Sequence, residues 1–311
     1  MKGNEVFGLT RRDFIKATSA VLAAFGVQGS GLLKLREAAG LEAEDGGAPV
    51  LWLQAQCCSG CSISLLNSIS VKSIDDLLVN DLDLQFHPTL MAAAGSRAVA
   101  AAEKTYRRGG YVLVVEGSIP QGAGGAYCRL WSGLSASKAI ERYTSRASLI
   151  LAVGTCAAFG GIASGNPNPT EAEGLEDEYD GKRVVRIPGC PSHPDWVVGT
   201  IAYVLANGKA PTLDTWGRPT QYFQSRVHDR CPLRSTEEAG VLGQIGCLEE
   251  LGCKGKITRA DCPSRKWNAS AQGGVGVNWC IGAGAPCYGC TEPGFPDGMS
   301  PFYELGEGDD D

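Results

Sequence analysis

Three cysteines fall within five residues in "QCCSGCSISLLNS", at Cys57, Cys58 and Cys61. Thiols this close suit a disulfide, a zinc site, an iron–sulfur cluster or a redox dithiol. The remaining thiols narrow the choice. Cys58 and Cys61 form a CxxC pair, which Cys156 and Cys190 complete to four donors. His228 and Cys231 form an HxxC pair, followed by Cys247 and Cys253. Cys262, Cys280, Cys287 and Cys290 make a last group, again with a CxxC pair. Of the chain's 13 cysteines, Cys57 and Cys128 are left over. An odd count is awkward for disulfides alone, and a redox dithiol explains one CxxC but not three groups of four. Four thiolates suit structural zinc or a [4Fe–4S] cluster. Three such groups without a catalytic histidine framework read as an electron wire.

The elements that must position these donors are visible in the hydrophobic pattern. "PVLWLQ" (49–54), "YVLVVEG" (111–117), "SLILAVG" (148–154) and "RVVRIPG" (183–189) are short, continuous apolar runs, as for strands buried on both faces of a parallel sheet. Helices are expected over 91–108, ending at Gly109-Gly110, and over 135–146. The alternation predicts a doubly wound α/β domain. Ligands in such sheets bind beyond the carboxyl ends of the strands. The Cys57–Cys61 segment, Glu116, Cys156 and Cys190 each follow a strand, so they converge on one sheet edge. From about residue 210 periodicity fades, and Gly, Pro, Cys and charged residues dominate. Such a segment needs something else to hold it, and metal clusters would do so, since their binding free energy becomes folding free energy.

Composition excludes other classes. With 311 residues and 43% hydrophobic content the chain can build a large core, while 42 glycines and 16 prolines imply much irregular loop. A net charge of -6 argues against a nucleic-acid partner. Thr10, Arg11, Arg12, Asp13, Phe14, Ile15 and Lys16 fit a twin-arginine export signal, ahead of the short apolar run "ATSAVLAAFGV". Such signals carry folded, cofactor-loaded proteins, so export to the periplasm does not require disulfides here. No later stretch is apolar enough for a membrane helix. The expected organisation is a signal and linker over 1–47, an α/β domain over 48–209 and a cluster-bearing domain over 210–311.

The motifs "CSGCS", "VEGSIP", "GTCAAFGG", "PGCPSHPDW", "HDRC", "GCKG", "DCPSRKWN" and "PCYGCTEP" together resemble the small subunits of nickel–iron hydrogenases, in family order. "LLNS" and the cysteine of "NWCIGAGAPC" are similar to the nickel–iron–selenium group. The resemblance implies a flavodoxin-like domain and a loop-rich C-terminal domain. It implies a proximal [4Fe–4S] cluster on Cys58, Cys61, Cys156 and Cys190, and a distal [4Fe–4S] cluster on His228, Cys231, Cys247 and Cys253. A medial cluster would use Cys262, Cys287 and Cys290. Most of the family has proline at the place of Cys280 and a [3Fe–4S] cluster there; with Cys280 as fourth ligand the expectation is [4Fe–4S]. Oxygen-tolerant membrane-bound relatives carry extra cysteines beside the proximal cluster, where this chain has Gly60 and Gly161. The chain also lacks their hydrophobic C-terminal anchor.

The implied role is electron transfer in H2 oxidation. The nickel–iron site is expected on an obligate large-subunit partner, since no histidine follows His228. The acceptor is expected to be a periplasmic multihaem cytochrome c. Two alternatives are a stand-alone iron–sulfur or zinc protein and the related quinone-reductase subunit. The second has no C-terminal cysteine domain, so residues 228–290 speak against it. A lone histidine usually sits at the surface, but the HxxC spacing marks His228 as a ligand. His193 reads as a packing residue near Cys190, His87 as structural, and Cys57 and Cys128 as structural thiols. Glu116 reads as a loop cap, with a polar or proton-handling role open to it beside the proximal site.

Overall fold

The computed structural model describes residues 48–69, 73–74, 77–78, 82–268 and 276–303. The twin-arginine stretch lies outside them. Five strands form the central sheet: β1 (Ala48–Gln54), β2 (Leu82–Phe86), β3 (Tyr111–Glu116), β4 (Ala147–Val153) and β5 (Val185–Ile187). All are parallel and lie in the order β5-β4-β3-β1-β2. Read from the other edge this is 2-1-3-4-5, the flavodoxin-like doubly wound order, whose switch point lies between β1 and β3. The continuous apolar runs are explained by this burial: every residue of β3 is buried.

Alternation along the strands divides the core between two faces. Leu51, Leu53, Leu113, Val115 and Ile150 pack against α2 (Gly95–Arg108) and α3 (Ala136–Thr144) through Ala98, Ala102, Ile140 and Tyr143. Val50, Trp52, Val112, Val114 and Leu151 face the other way, toward α5 (Pro194–Asn207). Residues of the C-terminal portion, including Phe223, Leu251 and Trp279, join that second face. Two short helices follow strands directly: α1 (Gly60–Leu66) after β1 and α4 (Gly154–Phe159) after β4. Beyond α5 only single turns and 3-10 segments occur among the described residues. No helix there is long and apolar enough to cross a membrane.

Three expectations are corrected. The helix expected from residue 91 begins at Gly95, because Ala94 is extended (φ -133°) and Gly95 is left-handed (φ 56°). The strand expected over 183–189 is confined to Val185–Ile187. β2 has no counterpart among the expected strands: its edge position leaves Asp83, Leu84 and Gln85 half-exposed, so its sequence lacks a continuous apolar run.

Leu113 is fully buried in the central strand. Leu113→Ala is expected to destabilise the chain by about 2–5 kcal/mol through the lost burial and the cavity. A lower guanidinium midpoint at unchanged slope would register it.

Candidate metal centres

Strand register sets the first group of donors. Gln54 pairs with Glu116, Glu116 with Val153 and Val153 with Ile187, so four strand ends lie in one row. The residues that continue from that row are Cys57–Cys61, Gly117, Gly154–Cys156 and Pro188–Cys190. The structure brings Cys58, Cys61, Cys156 and Cys190 together there. Burial raises the pKa of the Cys61 thiol well above its ordinary value, and Glu116 with the neighbouring Cys156 and Cys190 raises it further. Burial likewise raises Cys156, with Cys190 and Cys58 adding to it. Gly154 permits the crowding: at φ 85° any Cβ there would lie 2.5 Å from the Cys61 sulfur. Gly60 and Gly161 also face donor thiols, since a Cβ would come within 3.0 Å of Cys58 and 2.9 Å of Cys156.

Glu116 organises the turn that presents Cys61. It is 2% exposed. Its Oε1 accepts the backbone N–H groups of Cys61 and Ser62, each at 3.1 Å. Its Oε2 accepts from the Trp52 indole at 3.0 Å, the Gln54 amide at 3.1 Å and the Ser62 hydroxyl. Five donors leave this buried carboxyl with its hydrogen-bonding capacity filled. Glu116 is thus the loop cap anticipated from sequence. Behind it lies His87, fully buried. Its Nδ1 accepts from the N–H groups of Thr89 and Leu90 at 3.1 and 3.2 Å, so its proton sits on Nε2, 3.2 Å from Ser62 Oγ. His193 is also buried. Its Nδ1 accepts from Asp195 N at 3.1 Å as the N-cap of α5, and its Nε2–H donates to Lys266 O at 2.7 Å.

A second group assembles from Cys262, Cys280, Cys287 and Cys290. Burial raises Cys262 well above the ordinary thiol value, with Cys290, Cys287 and Cys280 adding to it. Burial pushes Cys287 up to about 11. Cys280 is the exposed member. The segment carrying Cys262 is tied to α5: Arg265 holds Asp261 at 2.6 Å and Asp195 at 3.2 Å, and Trp196 Nε1 donates to Asp261 at 2.7 Å. The segment carrying Cys290 is tied down by Arg218. That guanidinium, 1% exposed, reaches Asp214 at 2.8 Å and Glu292 at 3.0 Å.

A third group contains the histidine. Burial raises Cys231 and Cys247, and each is raised further by Cys253. One ring nitrogen of His228, the Cys247 sulfur and a Glu249 oxygen lie within 4.8 Å of one another. Glu249, which no spacing in the sequence singles out, is itself held by Lys256. The groups also touch. The Cys287 N–H donates to the Cys253 sulfur at 3.3 Å, and the Thr155 hydroxyl, next to Cys156, donates to the Cys290 carbonyl oxygen. Cys57 and Cys128 stand outside all three groups. Cys128, expected as a small structural thiol, is half-buried.

Thiols crowded in this way, several of them buried, repel one another as thiolates and so fit a multiply charged cationic centre. No disulfide closes any pair among the described residues. An open parallel sheet with soft donors at its carboxyl edge, continued by a loop-built portion with further soft donors, defines an oxidoreductase subunit.

Comparison with known proteins specifies which. A family model described as NADH ubiquinone oxidoreductase, 20 Kd subunit, matches residues 58–204. A second model, for the C-terminal part of the NiFe/NiFeSe hydrogenase small subunit, matches residues 223–303. The periplasmic [NiFeSe] hydrogenase small subunit of Desulfomicrobium baculatum is 38% identical over 95% of this chain and 98% of its own length. The periplasmic [NiFe] hydrogenase small subunit 1 of Nitratidesulfovibrio vulgaris is 36% identical over 96% and 94%. A solved [NiFeSe] hydrogenase from Desulfovibrio vulgaris Hildenborough superposes with a TM-score of 0.75 at 41% identity, covering 85% of this chain and 99% of that one. The chain belongs to the NiFe/NiFeSe hydrogenase small-subunit family, and it acts in electron transfer within that oxidoreductase.

His87 gives a pH dependence. Burial lowers its ionisation from 6.5 to about 4, against a smaller opposing pull from Glu116. Folding therefore favours the neutral ring. That contribution is complete above the unfolded value and is lost as pH falls from about 6.5 toward about 4. Over that window the chain should lose about 3 kcal/mol more than His87→Gln, read as denaturation midpoints at a series of pH values.

Proposed function

We propose that this chain relays electrons from H2 oxidation through three [4Fe–4S] clusters to a periplasmic acceptor. Cys58, Cys61, Cys156 and Cys190 hold the proximal cluster. Cys262, Cys280, Cys287 and Cys290 hold the medial one, and His228, Cys231, Cys247 and Cys253 the distal one. The clusters supply one-electron redox chemistry; this chain's residues bind them, exclude water and fix their order. The observation that carries the reading is the head-to-tail contact of the three donor groups, through the Thr155 hydroxyl beside Cys156 on the Cys290 carbonyl and the Cys287 N–H on the Cys253 sulfur. Zinc sites have no need of such contact. The neutral imidazole leaves the distal site less negative, which suits an exit to an external carrier. The acceptor we infer is a multihaem cytochrome c.

The nickel–iron site belongs to a large-subunit partner, and the complex is an obligate heterodimer. Two features support the placement of that partner over the sheet edge. Ile63 and Leu66 of α1 are 51% and 37% exposed beside the proximal thiols. A hollow of about 340 Å³ lined by Gly60, Ile63, Pro191, Pro194 and Trp267 adjoins them. The relatives named above as periplasmic support export, for which Arg11 and Arg12 are the signal. Residues 1–47 form that signal with its linker, 48–209 the proximal-cluster domain and 210–311 the domain of the other two clusters. Glu116 keeps the Cys61 turn in place, and its full set of donors favours that task over proton transfer.

Isolated from the periplasm, the chain should bring a nickel-containing partner and H2-uptake activity with it. Arg11→Lys with Arg12→Lys should hold both subunits in the cytoplasm. A nickel-free, single-chain periplasmic protein with dye-linked H2 uptake would sink the reading.

Cys280 decides the medial cluster. Three thiolates can hold three irons of a cubane, and a fourth donor is needed to retain the fourth iron. Cys280→Pro is therefore expected to create a near-stoichiometric three-iron electron paramagnetic resonance signal in the oxidised enzyme. The same strong signal in the unaltered enzyme would overturn the assignment.

A further inference from the structure

Glu249 stands against the donor group that contains the histidine, and none of the three donor sets uses it. It lies on the short turn between Cys247 and Cys253. One of its oxygens, a His228 ring nitrogen and the Cys247 sulfur lie within 4.8 Å of one another. Backbone bonds fix that turn: Leu251 N donates to Leu248 O at 3.2 Å, Gly252 N to Glu249 O at 3.1 Å and Cys253 N to Leu248 O at 3.2 Å. Glu237 and Glu238, which pair with Cys247 through the backbone, are exposed, as is Glu250, whereas Glu249 is half-buried. The Lys256 ammonium group donates to Glu249 Oε1. Lys256 is exposed and belongs to the turn Lys254–Lys256, directly after Cys253. That turn is pressed onto the same donors: a Cβ at Gly255 would lie 3.5 Å from both the Cys253 sulfur and the His228 backbone nitrogen.

We propose that the Glu249–Lys256 pair sets the reduction potential of the distal cluster, the carboxylate lowering it and the ammonium group limiting that effect. The inference rests on the cluster assignment under Proposed function. Three thiolates and a neutral imidazole give that cluster one negative charge fewer than four thiolates would. Glu249 returns a charge of that sign from outside the ligand set, a short distance from two of the ligands. A fixed negative charge opposes the arrival of an electron, so it lowers the potential. A lower potential makes the reduced exit cluster a stronger donor to the acceptor. The Glu249 and Lys256 side chains are 35% and 54% exposed, so water reaches the pair and salt screens its field. That sensitivity separates a charge effect from a packing effect.

Glu249→Gln keeps the shape and removes the charge. In the heterodimeric enzyme, a redox titration followed by electron paramagnetic resonance should show the distal midpoint raised and the proximal and medial ones unmoved. At fixed poise and low ionic strength the reduced-to-oxidised ratio of the distal cluster should rise about tenfold, the influence of one charge across a partly solvated site. In about 1 M salt the rise should be clearly smaller. Lys256→Gln should lower the same midpoint, and the double variant should fall between the two. A distal midpoint unmoved in Glu249→Gln, with the cluster present, overturns the proposal. So do shifts of the same sign in both single variants, or a shift that salt does not reduce, since neither a packing contact nor a direct iron ligand is screened. Loss of the distal cluster in Glu249→Gln also overturns it, because the carboxylate then serves assembly and not potential. The cluster reading fails separately, and visibly, if the unaltered enzyme contains no iron–sulfur signals.

Discussion

The rest of the structure depends on the crowding of thiols away from water. Eleven cysteines and one histidine stand in three groups. Within each group, burial raises the thiol pKa first and the neighbouring sulfurs raise it further. Each added thiolate makes the next more costly, so the groups are self-repelling as anions. A multiply charged cationic centre reverses the sign of that interaction and turns repulsion into cohesion. The portion beyond α5, which among its described residues has only single turns, has the greatest need of it. Its described apolar residues are too few and too scattered to form a layer of their own. Phe223, Leu251 and Trp279 instead complete the face that Trp52 and Val114 present.

The sheet solves a different problem, which is aim. In a parallel sheet the register of neighbouring strands places their ends in line, and here Gln54, Glu116, Val153 and Ile187 form that line. Every chain segment leaving it starts at the same height. The first donor group therefore needs no long loop, and its four cysteines come from three separate segments that leave strand ends. Glu116 shows how the edge is kept rigid. It sits on the central strand at the switch point, and it accepts two backbone N–H groups of α1 that a seven-residue helix could not otherwise satisfy.

The sequence carries the sheet, its carboxyl-edge thiols and the grouping of the later cysteines, because all three depend on local signals: continuous apolar runs, turn residues and short spacings. It does not carry β2, whose half-exposed middle residues break the apolar run. The start of α2 is blurred because alanines at 92–94 favour helix locally while Gly95 adopts a left-handed backbone. Thr155, Ser62 and Glu249 give no sequence signal for another reason. Each lies close to a cysteine whose spacing is the stronger signal, and their partners, Cys290, Glu116 and His228, lie 135, 54 and 21 positions away. Spacing rules see ligands that are close in sequence. They do not see the polar side chains that hold distant ligand segments in mutual position.

Those polar side chains explain how loops can be as well fixed as strands. Arg218 is nearly inaccessible, yet its charge is answered by Asp214 and Glu292, and Glu292 in turn accepts the Arg259 N–H at 2.6 Å. Arg265 joins Asp261 to Asp195, and His193 joins the α5 cap to Lys266. Buried ion pairs contribute little net stability, because desolvation offsets attraction. Breaking one is nonetheless costly, since it strands a charge, so such pairs discriminate strongly between the correct arrangement and a shifted one. Two of these pairs join a segment that carries a donor to a distant one: the Cys290 segment through Glu292 to Arg218, and the Cys262 segment through Arg265 to Asp195. Specificity of position, more than stability, is what a row of donor groups in contact requires. On the cluster reading proposed above, metal binding supplies the cohesion that the ion pairs do not.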